Sequence, residues 1–355
     1  MQREYLAALQ QIPGLGQKTE AMLMRYFGSA EETWKASVDE WRDCGVRQSV
    51  CREFLDMRER LDIRSMVKDW EDKGIHLCAR GDEEYPSWLA EVFDPPNLLY
   101  CRGAIPKSEL YIGIVGARRS TTYGRQAARK IASELAASGA VVVSGAARGI
   151  DSAAHLGALE NGKTIAVLGC GVDVVYPPEN KKLLADIAEN GAVISEYPPG
   201  TQPHPGLFPA RNRIISGISQ GLLVVEAAAK SGALITATYA MEEGRDVFAV
   251  PGSIFSAVSV GTNRLIQDGV KPITCGQDIL DEYRMNGSHT EIEKLSLTKE
   301  EDMVHTALQY DYAMSTEELA MKTNLDVRQI ALIVLQLTLR GLVKEDSAQR
   351  YIRMK

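Results

Sequence analysis

The stretch YIGIVGARRSTTYGRQAARKIASELAASGAVVVSGAARGIDSAAHLGALENGKTIAVLGCG, residues 111–171, repeats one pattern. An apolar, β-branched run ends in glycine and serine, a helical pattern follows, and the next apolar run begins. The runs are Tyr111–Val115, Ala140–Val143 and Thr164–Leu168. Further along come Ala192–Ile194, Leu222–Val225 and Val247–Val250. Helical patterns separate them at Gly124–Ala137, Asp151–Asn161, Asn180–Asn190, Arg211–Ser219, Leu234–Glu243 and Thr262–Gln267. Strands apolar on both faces and joined by helical crossovers predict an α/β domain with a Rossmann-like, doubly wound parallel sheet.

Ligands of such sheets bind beyond the carboxyl ends of the strands. Those ends carry Gly116-Ala117-Arg118-Arg119-Ser120, Ser144-Gly145-Ala146-Ala147-Arg148-Gly149, Gly169-Cys170-Gly171, Glu226 to Gly232, and Pro251-Gly252-Ser253. Glycine lets a phosphate approach the backbone, and arginine offers it a bidentate fork. Asp151 is placed to cap the following helix, and His155 lies one turn further on. Phe208-Pro209-Ala210-Arg211-Asn212-Arg213 puts an aromatic ring, two arginines and an amide at a helix start, the vocabulary of single-stranded nucleic acid. A plainer reading makes Phe208 a core residue and Arg211 and Arg213 partners of buried acids such as Glu196 and Glu226. Lys230-Ser231 follows the strand ending at Glu226, with Ser231 able to cap a helix and Lys230 at its mouth.

Two strings mislead. Gly157-Ala-Leu-Glu-Asn-Gly162-Lys163-Thr164 matches the Walker A pattern by letter, but a helix precedes it and a strand follows, the reverse of a phosphate loop. Gly162 reads instead as a helix C-cap. Gly169-Cys170-Gly171 opens like a dinucleotide fingerprint, but its third glycine is missing and Pro177-Pro178 interrupts the helix start. No cofactor is expected.

The composition of the 355 residues is that of an ordinary globular protein, 45% apolar and 25% charged. No run is apolar enough for a membrane span or a signal peptide, so a cytoplasmic address is expected. The cysteines, Cys44, Cys51, Cys78, Cys101, Cys170 and Cys275, form no CxxC pair, and the histidines form no HExxH, so no metal site is expected. A net charge of −7 argues against phosphate binding taken globally. Locally, Leu110–Ser133 holds Arg118, Arg119, Arg125, Arg129 and Lys130 and no acid.

Taken in order, GARRSTTYGR, SGAARGIDSAAHLGAL, GCGVDVVYPPEN, SEYPPG, FPARNRIISG, KSGALITATYA and GRDVFAVPGS resemble the DNA-processing protein A (DprA, also called Smf) family across about residues 75–280. The resemblance implies a protein of natural transformation that binds single-stranded DNA, helps load RecA recombinase onto it and forms homodimers through the Rossmann-like domain. It implies a strand-binding pocket of Arg118, Phe208, Arg211, Asn212, Arg213, Lys230 and Ser231, with Gly116, Ser144, Gly145 and Arg148 on its rim. No catalytic residue is expected. The alternative is a nucleotide-binding or nucleotide-hydrolysing enzyme recruiting Glu226, Asp151 or His155, but no nucleophile–base spacing stands out.

The flanks read as separate domains. Residues 1–72 form an N-terminal helical domain of helix-hairpin-helix or SAM-like type. Pro13-Gly14-Leu15-Gly16 breaks two short helices there, and the acidic surroundings favour a plain helical hairpin over a DNA contact. Residues 73–285 are the Rossmann-like domain and 286–297 a linker. Residues 298–355 look like a winged helix: a helix over Lys299–Leu308, a capping box at Ser315, and a third helix after Asp326. A hairpin closes the segment. The third helix is mostly apolar (Ile330, Leu332, Ile333, Val334, Leu335, Leu337), which fits protein packing better than groove reading.

Overall fold

A computed structural model of the chain describes residues 2–285, 297–310, 312–347 and 350–354. The expected linker, 286–297, lies outside the described residues apart from Leu297. One compact unit takes in residues 2–120 and 127–285, and a second takes in 121–126 with the C-terminal elements.

Six helices open the chain: α1 (Gln2–Leu9), α2 (Gln17–Phe27), α3 (Ala30–Lys35), α4 (Val38–Asp43), α5 (Gln48–Arg60) and α6 (Ile63–Glu71). Their starts follow from side-chain caps. Ser29 accepts the Glu32 N–H, Ser37 and Glu40 form a capping box, and Asp62 accepts from Arg64 and Ser65. At the centre the Trp41 and Phe54 rings stack 3.9 Å apart, both fully buried. Burial of an aromatic ring of this size contributes about 2–3 kcal/mol.

The sheet strands are β1 (Ile75–Ala79), β2 (Leu98–Gly103), β3 (Tyr111–Val115), β4 (Val141–Ser144), β5 (Thr164–Leu168), β6 (Ala192–Ser195), β7 (Gly221–Val224), β8 (Asp246–Ala249) and β9 (Lys271–Pro272). Between them run α7 (Ser87–Ala90), α8 (Thr122–Ala137), α9 (Ile150–Asn161), α10 (Lys181–Asn190), α11 (Leu207–Ile218), α12 (Gly232–Glu242), α13 (Val260–Gln267) and α14 (Gln277–Leu280). The order across the sheet is β1-β2-β6-β5-β4-β3-β7-β8-β9. The parallel part begins at β3, winds outward through β4, β5 and β6, and returns to β7 on the far side of β3. All pairings from β6 to β9 are parallel, which is the doubly wound arrangement expected. The antiparallel pair β1–β2 extends it past β6. That extension goes beyond the alternating pattern, because residues 73–110 carry no helical crossover.

Alternation along each strand divides the core. Ile165 and Val167 face Ile214, Ile215 and Ile218 of α11, while Ala166 and Leu168 join Tyr100, Leu98 and the buried side of α1 to α6. The Tyr100 ring meets Trp70 edge-on at 5.6 Å, and its hydroxyl donates to Gln10. The helical segment therefore shares a core with the sheet.

The C-terminal elements are α15 (Lys299–Ala307), β10 (Met314–Ser315), α16 (Thr316–Thr323), α17 (Val327–Leu339), β11 (Val343–Ser347) and β12 (Arg350–Arg353), with the strands in antiparallel order β10-β12-β11. Thr298, Ser315 and Asp326 each close a capping box. Ile330, Val334 and Leu337 of α17 fill the core with Val304, Leu319 and Leu342. Leu332, Leu335 and Leu339 of the same helix are exposed.

Candidate nucleic-acid interface

Parallel strands with right-handed crossovers deliver their following loops to one edge of the sheet. At the ends of β3, β4 and β5 these loops enclose a cavity of about 60 Å³. Arg118 enters from the first loop, Gly145, Ala147 and Arg148 from the second, and Gly169, Cys170, Tyr176 and Pro177 from the third. Phe208 and Arg211 of α11 complete the wall.

The Arg118 guanidinium lies 5.0 Å from the centre of the Phe208 ring, and Tyr176 stacks on the same ring at 5.5 Å. Arg118 is exposed and Phe208 half-buried, so a cation and an aromatic ring stand together at the surface. Arg148, also exposed, is paired to Glu179.

Arg211 is different. It is 4% exposed and donates to the carbonyls of Gly145 and Val167, tying the ends of β4 and β5. A methyl group at residue 145 would overlap its guanidinium, which explains that glycine. Burial lowers the Arg211 pKa, and the nearby Asp151 charge opposes the drop. Burial likewise raises the Asp151 pKa, opposed by Arg211 and by the N–H of Ala147, 3.4 Å away. The expectation that Asp151 caps its helix is corrected here. The N-cap of α9 is Gly149, whose φ of +80° turns the chain two residues earlier, so Asp151 sits in the first turn and braces the loop.

The remaining expected residues divide. Ser144 is fully buried and donates to the Ile114 carbonyl, so it joins β3 to β4 and does not face the cavity. Gly116 packs against Ile150, where a side chain would overlap. Asn212 accepts from Arg211 Nε at 3.2 Å. Arg213 holds both oxygens of Glu196, at 2.5 and 2.7 Å, and donates to the Asp94 carbonyl. The plainer reading of this arginine, as partner of a buried acid, is the one observed. Ser231 caps α12 by accepting the Ala233 N–H, and exposed Lys230 precedes it, but neither lines the cavity. Sequence reasoning did not single out Tyr176 and Glu179. Both lie in the GCGVDVVYPPEN string, whose prolines signal an irregular segment but not its reach.

A family model described as DNA recombination-mediator protein A matches residues 76–284. The chain belongs to this family. Among its DprA relatives, the DNA processing protein of Streptococcus pneumoniae is 48% identical over 204 residues, 57% of this chain and 72% of that one. The Bacillus subtilis DprA is 42% identical over 270 residues, 73% and 91% of the two chains. The solved S. pneumoniae DprA structure superposes with a TM-score of 0.68 at 39% identity, covering 79% of this chain and 97% of that one. A Helicobacter pylori DprA structure, reported for its single-stranded DNA binding mode, gives 0.53 at 33% identity over 59% and 95%.

Behind the cavity of this DprA family member, His155 is fully buried, with Nδ1 2.7 Å from the Thr164 hydroxyl. That hydroxyl donates to the Val142 carbonyl, which leaves its lone pair to accept Nδ1–H. Burial and the Arg211 charge hold the imidazole pKa down to about 3. An imidazole whose folded pKa lies below its unfolded value of about 6.5 contributes no acid sensitivity above that pH. As the pH falls from about 6.5 towards 3, folding stability is lost at about 1.4 kcal/mol per unit. Urea unfolding at pH 7 and pH 5 is therefore expected to cost the wild type about 2 kcal/mol more than a His155→Gln variant. Equal losses would show that His155 does not titrate in this way.

Proposed function

We propose that this chain binds single-stranded DNA in DNA processing during natural transformation. The observation that carries the reading is the Arg118–Phe208–Tyr176 stack at the mouth of a cavity walled by Arg148 and Arg211. Aromatic faces take bases of any sequence, and arginines take the phosphates between them. A cavity of about 60 Å³ is well below the roughly 300 Å³ of an enclosing ligand pocket, which suits an extended ligand gripped at one point. The H. pylori relative, whose structure concerns single-stranded DNA, supports the same reading.

The reading is of binding rather than catalysis. Asp151 and His155, the acid and base behind the cavity, are committed to Ala147 and Thr164. RecA loading and homodimer formation belong to the reading through family resemblance. Ile254 and Phe255, 82% and 93% exposed in the loop after β8, are an apolar pair that such an interface would cover. The C-terminal unit is read as a winged helix turned to protein contact, on the strength of exposed Leu332, Leu335 and Leu339. On this reading the chain acts in the cytoplasm, where incoming DNA would be processed. No helix among the described residues is long and apolar enough to cross a membrane.

Fluorescence anisotropy with labelled single- and double-stranded oligonucleotides at two salt concentrations tests the proposal. Preference for the single strand is expected. If Arg118, Arg148 and Lys230 each meet a phosphate, log K should fall against log salt with a slope of about −2. Equal affinity for both forms, or no salt dependence, would overturn it.

A further inference from the structure

A second and larger cavity, of about 280 Å³, opens in the same compact unit between α2 and Gln10 on one side and the Phe93–Asn97 loop on the other. Its volume approaches the roughly 300 Å³ at which small-molecule sites begin. Glu20 lines its floor, 2% exposed. The carboxyl accepts from Asn97 Nδ2 at 3.2 Å and meets the Gln10 side chain, both neutral amides. Among the described residues it has no cationic partner. Burial accordingly raises its pKa. The neighbouring Glu196 is not in the same position, because Arg213 takes both its oxygens.

A carboxylate has about four lone-pair sites, so Glu20 keeps acceptor capacity facing the cavity. Something bearing donors fits there. Asp94 and Glu196 line the same cavity, but Asp94 is exposed and Glu196 is held by Arg213, so Glu20 is its one buried carboxyl without a cationic partner among the described residues. A small cation would pass Arg25 and Arg80, which line the same cavity from exposed positions. The ligand that suits both ends carries donors at one end and negative charge at the other. Met24, Pro95 and Pro96 supply flat apolar wall, and Phe93, 98% exposed, offers a free ring beside them. Among nucleobases, guanine presents two adjacent donors, a ring N–H and an exocyclic amine, in register with two carboxylate oxygens.

We propose that this cavity binds a guanine nucleotide, with Glu20 accepting the ring N–H and the amine and with Arg25 and Arg80 holding the phosphate. The guanine comes from a free nucleotide or from a base of a bound strand. The site is separate from the Arg118–Phe208 cluster, and strand binding there does not depend on it.

The test is calorimetric titration of the full chain with GMP, AMP, CMP and UMP, repeated with Glu20→Gln and Arg25→Ala. GMP is expected to bind most tightly, and Glu20→Gln to weaken it by about tenfold or more, the discrimination a bidentate base contact carries. Arg25 is exposed, so its loss leaves the fold intact. Arg25→Ala should weaken GMP but leave guanosine unchanged. A guanine-bearing oligonucleotide and oligo(dT) of equal length form the second arm. If the guanine strand binds more tightly, and the advantage disappears in Glu20→Gln, the base comes from the strand. If only GMP shows the effect, the ligand is the free nucleotide. No guanine preference in either arm, or a preference indifferent to both variants, overturns the proposal. Oligo(dT) binding, which needs no guanine, reports separately on the Arg118–Phe208 site.

Discussion

Phe208→Ala is expected to weaken oligo(dT) binding by about 5- to 150-fold, the range that one base–aromatic stack is worth. The ring is half-buried at the lip of the cavity, in contact with Arg118 and Tyr176, so its removal uncovers little core. The salt slope should stay the same, because no charge is lost. Arg118→Ala separates the two contributions. Its loss should reduce the slope by about 0.7 and weaken all sequences alike, as expected of a phosphate contact to a single strand. Anisotropy at three salt concentrations reads both quantities. If Phe208→Ala leaves affinity unchanged, bases do not stack there.

Arg211→Met should act on the fold before it acts on DNA. Its guanidinium is the donor to the Gly145 and Val167 carbonyls and the positive charge opposing the burial of Asp151. Methionine keeps much of the volume and leaves these groups without a partner. Stripping one member from a buried charge pair costs about 3–5 kcal/mol. The urea midpoint should fall accordingly, and the loops carrying Gly145 and Gly169 should lose their fixed spacing. A change under about 1 kcal/mol, typical of surface positions, would mean that Arg211 does not hold these strands. Glu179→Gln at the rim offers a contrast. Its Arg148 partner is exposed, so the loss should lie near zero in stability.

How far the sequence could be read depended on how local each cause was. The runs at 111–115 and 164–168 declare strands because β-branched residues and flanking glycines act within a few positions. The reversed Walker-like string at 157–164 was legible for the same reason: a helix ends at Gly162 and a strand begins at Thr164. The two arginines of the FPARNR string could not be separated. The helix begins at Leu207, not Arg211. Two residues turn the helix by about 200°, which sends Arg211 inward and Arg213 towards Glu196. Only the finished sheet decides which side is inward. The Tyr176 ring is 32 residues from Phe208 in sequence, and no periodicity connects them. The apolar faces of the N-terminal helices could be seen, but not that Tyr100 and Leu98 would be what they cover.

That shared covering sets how the molecule comes apart. One side of the sheet is lined by α1 to α6 together with Leu183, Leu184 and Ile187 of α10, so a cut near residue 72 would not free a tidy half. It would wet Leu98, Tyr100 and Val193 together, and a nicked chain would stay clasped until both pieces melt. Calorimetry should therefore record a single endotherm for helices and sheet. A truncated version made for crystallisation or biosensing would need new polar residues on that side to stay in solution.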